Sequence, residues 1–213
     1  MKNYQYILFD WDGCLARTLE IWMDAYKATF SEEDLHPSEK DIASKVFGDW
    51  HGPEKAGAKN NDEFIKKLLN RVNANYPNAN LYENAPVILK HLRAMGKKIA
   101  LVTSSELKMI DQSLINHDIK KLFDVILTAE DVQKHKPDPE IVFMALEKLG
   151  GTKEQAIIIG DSKSDLGAAS NAAIDSALFY PESHQLFYNL DQLQTFKPNY
   201  IIKDLIDLKE IIL

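Results

Sequence analysis

Four aspartates, one lysine and a group of hydroxyls are the residues of this 213-residue sequence whose types and spacing could do chemistry. Asp10 and Asp12 close the apolar run Tyr6-Ile7-Leu8-Phe9, and Gly13 follows them. Side chains at i and i+2 of an extended segment point the same way, so the two carboxylates stand together where the run ends. Two such acids repel, and a hard divalent cation with oxygen ligands is the natural compensation. Thr103-Ser104-Ser105, Lys136 and Gly160-Asp161-Ser162-Lys163-Ser164-Asp165 come later in the chain. Phosphoryl transfer would use all of these groups. Asp10 is the expected nucleophile, forming an aspartyl phosphate that water hydrolyses. Asp12 is the expected general acid, then base. Mg²⁺ is the expected cofactor, bridging Asp10, Asp161 and a phosphate oxygen, with Asp12 completing the acidic ligand set. Thr103, with Ser104 beside it, would donate to phosphate oxygens, and Lys136 would neutralise charge on the transferring group and on Asp10. Gly13 allows a tight turn beside the phosphate.

Taken singly, each residue has a plainer role. An Asp at a strand end is commonly a turn residue, and Thr103 or Ser105 a helix cap. Lys136 alone reads as a surface charge, and Asp165 as a first-turn acid facing the helix dipole. The elements that position them decide otherwise. The pattern predicts strands at 4–10, 98–103, 124–127, 156–159, 176–180 and, at an edge, 200–202. It predicts helices at 85–95, 105–116, 138–149, 164–172 and 205–212, with residues 184–194 a helix or loop. Asn84 is the expected N-cap of the helix at 85, with Pro86 in its first turn and Gly96 at its close. Strands alternating with helices imply an α/β fold, a doubly wound Rossmann-like parallel sheet. Between strand 1 and residue 82 only helical periodicity occurs, at 18–30 and 63–72. The predicted domains are therefore a catalytic core of 1–15 and 82–213 and an inserted all-helical cap of 16–81. In such sheets ligands bind at the carboxyl ends of the strands, where all four acids, the hydroxyls and Lys136 converge.

Composition narrows the partners. The formal net charge is −7, which argues against nucleic acid and anionic membranes. The single cysteine, Cys14, allows no internal disulfide. No apolar run approaches a membrane span, and the start of the sequence enters a strand pattern without a signal peptide. The expectation is a cytoplasmic protein, a monomer or homodimer, acting on a small phosphorylated metabolite.

The motifs resemble those of the haloacid dehalogenase superfamily, in order along the chain. They are Asp10-Trp-Asp12-Gly13-Cys-Leu15, Val102-Thr103-Ser104, Lys136-Pro-Asp-Pro and Gly160-Asp161-Ser162-Lys-Ser-Asp165. A lone Asp-x-Asp is weak evidence, whereas four ordered motifs are specific. The all-helical insertion resembles the subgroup of phosphoglycolate phosphatase and β-phosphoglucomutase. The resemblance implies Mg²⁺-dependent hydrolysis of a phosphate monoester, with Asp165 holding a metal-bound water or orienting Lys136. Trp22 stands where the mutases resemble one another in carrying His, which disfavours the phosphomutase alternative. A non-catalytic binding protein on the same fold would be expected to lack an acid or Lys136. Arg17 stands where relatives commonly carry Asp, facing either solvent or an anionic substrate. Arg17, Trp50 and His51 are candidates for substrate choice, the last two in the glycine-rich stretch 47–53. Cys14 replaces a small family residue and reads as packing. Ala173 replaces a usual Gly after the last motif and would cost about 1 kcal/mol if it takes positive φ.

Overall fold

The computed structural model describes residues 2–212. Strand β1 (Tyr6–Phe9) is followed by four helices, α1 (Thr18–Ser31), α2 (Glu39–Asp41), α3 (Gly52–Lys55) and α4 (Asn61–Asn75). Regular alternation then begins with α5 (Ala85–Ala94), β2 (Lys98–Val102), α6 (Leu107–Asn116), β3 (Val125–Leu127) and α7 (Glu140–Leu149). It continues through β4 (Ala156–Gly160), α8 (Lys163–Ala172), β5 (Asp175–Phe179), α9 (Leu190–Gln194), β6 (Tyr200–Ile202) and α10 (Leu208–Ile211). The six strands form one sheet in the order β3-β2-β1-β4-β5-β6, with every pair parallel. The strand order reverses beside β1, so the ends of β1 and β4 meet at the topological switch point. The register sets Phe9 level with both Leu101 and Ile159, which puts Asp10 at the same height as the ends of β2 and β4.

Both faces of the sheet are covered, which explains why its central strands read as unbroken apolar runs. Ile7, Phe9, Ile99, Leu101, Ile157 and Ile159 pack on the side that carries α5 and α6 and join the apolar residues of α1 and α4. Leu8, Ala100, Val102 and Ile158 face α7 and α8. Helices α1 and α4 close on each other through aromatic contacts, with the Phe30 and Phe64 ring centres 4.6 Å apart.

The stretch from 16 to 81 leaves and returns through two paired connectors. Ala16 bridges Leu81, the Arg17 N–H donates to the Asn80 carbonyl (2.8 Å), and the Tyr82 N–H donates to the Leu15 carbonyl (3.0 Å). Residues 1 and 213 of the expected domain limits lie outside the described residues.

Two local expectations need correction. Asn84 precedes α5, but its side chain does not cap the helix; its amide donates to both carboxylate oxygens of Asp204, at 2.9 and 2.8 Å. A charged acceptor is the stronger partner, so the tertiary contact displaces the local one. The closing helix predicted at 205–212 is split into a tight turn at Leu205–Asp207 and α10, because Asp204 and Asp207 form a capping box there. Ala173 does take the left-handed conformation, with φ 55° and ψ 45°.

Candidate active site

The turn after β1 is built around one carbonyl. The N–H groups of Cys14, Leu15 and Ala16 all donate to the Trp11 oxygen, and Gly13 reverses the chain at φ 69°. A Cβ on Gly13 would meet Asp161 Oδ2 at 2.1 Å, so glycine is needed both for the turn and for the approach of β4's acid. Cys14 is buried, its thiol 3.5 Å from the Ile159 carbonyl. Burial, then Asp10 and Asp161, push that thiol's pKa well up, so it is a packing group and not a nucleophile.

Lys136 comes from the loop before α7, yet its ammonium ends under the sheet's edge. It donates to Asp10 Oδ1 (2.7 Å), Asp165 Oδ1 (2.6 Å) and the Val102 carbonyl (3.0 Å), which uses all three hydrogens. Burial opposes its charge, but Asp10 and Asp165 outweigh it and hold its pKa above the ordinary lysine value. Asp165 is also the first-turn acid of α8. Its Oδ2 accepts from the Ser162 N–H (3.1 Å) and hydroxyl (2.6 Å), closing a capping box. The residue thus caps the helix with one oxygen and holds Lys136 with the other.

Asp10, Asp161 and Asp165 bring carboxylate oxygens within 4.8 Å of one another, all three residues buried. Burial first, then Asp165, push the Asp10 carboxyl up to about 8, with Lys136 pulling the other way and Asp12 adding to the rise. Burial first, then Asp165 and Asp10, raise Asp161 well above the usual carboxylate range. Asp161 Oδ2 has no hydrogen-bond partner although it is buried. A buried, unpartnered carboxylate oxygen among like charges fits a hard divalent cation.

Asp12 lies outside this group of three. Its Oδ2 accepts from the Ser105 hydroxyl (2.6 Å) and, more distantly, from Thr103 (3.4 Å), and its Oδ1 accepts from the Tyr76 phenol. Tyr76 in turn accepts from Trp22 Nε1 at 3.4 Å. Asp10 and Asp12 thus line one cavity of about 260 Å³ while facing different partners. Ser104, Ser105 and Lys136 line the same cavity, roofed by Leu19, Trp22, Phe47, Tyr76 and Tyr188. Thr103 is fully buried, its oxygen also accepting from the Ser105 N–H (3.0 Å), so the cavity surface here is Ser104 and Ser105.

The three candidates for substrate choice are not brought to this cavity. Arg17 is half exposed and paired with Glu20 at 2.6 Å, its guanidinium 5.9 Å from the Tyr82 ring centre. Trp50 is exposed and lines a separate cavity with Trp22, Tyr26 and Phe47. His51 is at the surface, 3.8 Å from Glu54. Of the stretch 47–53, Phe47 is the residue over the acids.

Residues 7–179 match the family described as haloacid dehalogenase-like hydrolase. The chain belongs to this family. This haloacid dehalogenase-like hydrolase is 30% identical to a phosphorylated carbohydrates phosphatase of Thermotoga maritima, over 79% of its own length and 82% of the relative's. It is 28% identical to the pyrophosphatase PpaX of Halalkalibacterium halodurans, covering 97% of this chain and 95% of that one. Its fold is shared by an HAD family hydrolase from Deinococcus radiodurans, with a TM-score of 0.87 at 23% identity over 99% and 96% of the two chains. Among the described residues no helix is long and apolar enough to cross a membrane.

The hydrolase holds site residues that motif reading passes over. Tyr76 is the only aromatic in Asn73-Ala-Asn-Tyr-Pro-Asn78, a stretch that signals a helix end and nothing more. His184 is wholly buried against Tyr82, Phe179, Tyr180 and Tyr188. Its Nε2 is 2.7 Å from the Tyr82 hydroxyl, and its unpartnered Nδ1 is 3.9 Å from Asp161 Oδ2. Burial lowers its pKa to about 4, so it is a neutral ring beside the acids.

Proposed function

We propose that this hydrolase is a Mg²⁺-dependent phosphatase acting on a small phosphate monoester through an aspartyl phosphate. One observation carries the reading: the Asp10 carboxylate reaches the cavity bound to Lys136 and grouped with Asp161 and Asp165, while Asp12 opens on the same space with separate partners. Named relatives that hydrolyse phosphate bonds support it. Asp10, Asp161 and Asp165 would hold the magnesium, directly or through water, and the ion would supply charge for the phosphate and keep Asp10 ionised.

The chain's own groups do the rest. Asp10 attacks phosphorus with the oxygen left free by Lys136, and the bond from phosphorus to the leaving oxygen breaks. Asp12 gives its proton to that oxygen, then takes one from the water that cleaves the aspartyl phosphate. Lys136 stays paired with Asp165 and spreads positive charge over the transferring group. Ser104 and Ser105 offer hydroxyls on the cavity wall, and the segment 16–81 serves as a cap whose aromatic roof excludes bulk water.

Hydrolysis of p-nitrophenyl phosphate with and without Mg²⁺ tests this. Turnover is expected with the ion and absent after chelation. Asp10→Asn should lose it by more than about a thousandfold. Undiminished turnover in Asp10→Asn would remove the nucleophile and the reading with it.

A further inference from the structure

Resting on the phosphatase reading, we propose that the leaving group of the substrate is uncharged and carries an apolar or aromatic surface, in place of the second anionic group of a phosphorylated acid or a pyrophosphate. The cavity's inventory of charge points there. Among the described residues lining it, Lys136 is the one cation, and its three hydrogens are already committed to Asp10, Asp165 and Val102. Asp10, Asp12 and Asp161 line the same 260 Å³, and Asp165 stands behind Lys136. With Asp12 carrying the proton it gives to the leaving oxygen, three carboxylates, one ammonium and a divalent cation come to no net charge, so the site holds no positive charge in reserve for a second anion beside the phosphate. A second anion in so small a space would be desolvated without a partner, which is strongly unfavourable.

The surroundings repeat the pattern. The groove that adjoins at Leu19, about 370 Å³, is lined by Asp24 and Glu182 and by Glu20 and Glu39, the last two paired with Arg17 and Lys27, which do not line it. On the opposite side a groove of about 630 Å³ shares Phe47, Ser162, Ser164 and Tyr188 with the cavity and carries Lys163. That lysine is exposed and does not line the cavity. What does face the place of a leaving group is carbon: Leu19, the half-buried Trp22 and Phe47, which meet edge to face with ring centres 6.5 Å apart. Aromatic faces of this kind recognise an apolar body and give a carboxylate nothing to bind.

The test uses the full chain with Mg²⁺ and compares benzyl phosphate with methyl phosphate, 2-phosphoglycolate and inorganic pyrophosphate. The expected kcat/KM for benzyl phosphate exceeds each of the others by about tenfold or more. Trp22→Ala and, independently, Phe47→Ala should reduce the benzyl-to-methyl ratio of kcat/KM by about tenfold, mainly through the KM for benzyl phosphate. A Mg²⁺-induced rise in melting temperature equal to wild type shows each variant folded. Preference for phosphoglycolate or pyrophosphate, with or without sensitivity to Lys163→Ala, overturns the proposal but keeps the phosphatase. An unchanged benzyl-to-methyl ratio in both folded variants overturns it too. No hydrolysis of any of the four removes the phosphatase reading itself.

Discussion

The floor of the cavity comes from the ends of β1, β2 and β4, and its roof from α1, the bend at Phe47 and the turn after α4, with Tyr188 from the segment between β5 and α9. In the floor, charged groups are buried and bound to each other: Lys136 has three partners, and Asp165 has Lys136 on one oxygen and Ser162 on the other. The roof is mostly aromatic carbon, crossed by the polar line Trp22 to Tyr76 to Asp12 and by the Tyr188 phenol, which reaches Asp161. A network in which each member satisfies several others cannot change one residue without stranding a charge. A roof of ring contacts can change shape at modest cost. On the proposed reading, chemistry is fixed by the floor and selection among phosphate esters falls to the roof. The line through Tyr76 is where the two meet.

The largest effect should come from breaking the floor. Lys136→Met leaves two buried carboxylates and the Val102 carbonyl without their donor, at a cost of about 3–5 kcal/mol in stability. Chemical denaturation measures it. A variant as stable as wild type at neutral pH would show that the network does not hold the floor. Next comes the cation. The Asp10 carboxyl is raised from its usual 3.8 to about 8, so the folded chain binds this proton more tightly than the unfolded chain. Metal-free stability should then fall as pH rises between those two values. Mg²⁺ held at Asp10 as proposed would compete with that proton, so the melting temperature gained on adding the ion should be larger at about pH 8.5 than at about pH 6. Equal gains at both pH values would place the ion elsewhere. Mutations in the roof should leave both measurements close to wild type.

The floor was far more legible in sequence than the roof. Asp10, Asp12, Asp161 and Asp165 stand at strand ends and a helix start, where local pattern and fold rules agree on position, and Lys136 stands in a proline-marked loop before α7. The sheet followed from the apolar runs and the Pro and Gly residues that punctuate them, and its edge strand at Tyr200–Ile202 was found as expected. Helical periodicity placed α1 and α4 but says nothing of which faces look at a distant strand end. Tyr76 meets Asp12 across 64 positions, and His184 meets Tyr82 across 102. Trp22 and Tyr26, one helical turn apart, look like core; Tyr26 is, while Trp22 turns into the cavity. Arg17, the residue that departs most in charge from the family pattern, spends it on Glu20 three residues away.

Tyr76→Phe tests the meeting point. It removes the phenol that donates to Asp12 and accepts from Trp22, with little change in packing. A hydrogen bond to a charged group contributes about 1.5–3 kcal/mol, so kcat/KM should drop by about 10- to 150-fold. With Asp12 handling the leaving oxygen as proposed, the drop should be greater for benzyl phosphate than for p-nitrophenyl phosphate, whose leaving group needs little protonation. Equal losses on both esters would assign Tyr76 to packing of the roof alone.

The smallest effect lies in the scaffold under the floor. Helix α8 begins at the acids, with Asp165 in its first turn, and ends at Ala173 in the left-handed conformation. A Cβ there costs about 1–2 kcal/mol, while glycine gives back about 0.4–1 kcal/mol through its freer unfolded chain. Ala173→Gly should therefore stabilise the protein by about 0.5–1 kcal/mol, a rise of about 1–4 °C in melting temperature for a chain of this length. The change sits at the far end of the helix from Asp165, so kcat, KM and the benzyl-to-methyl ratio should all stay at wild-type values. A variant that gained stability but lost turnover would mean that the floor is not insulated from its scaffold, and that strain at the end of α8 is transmitted to Asp165.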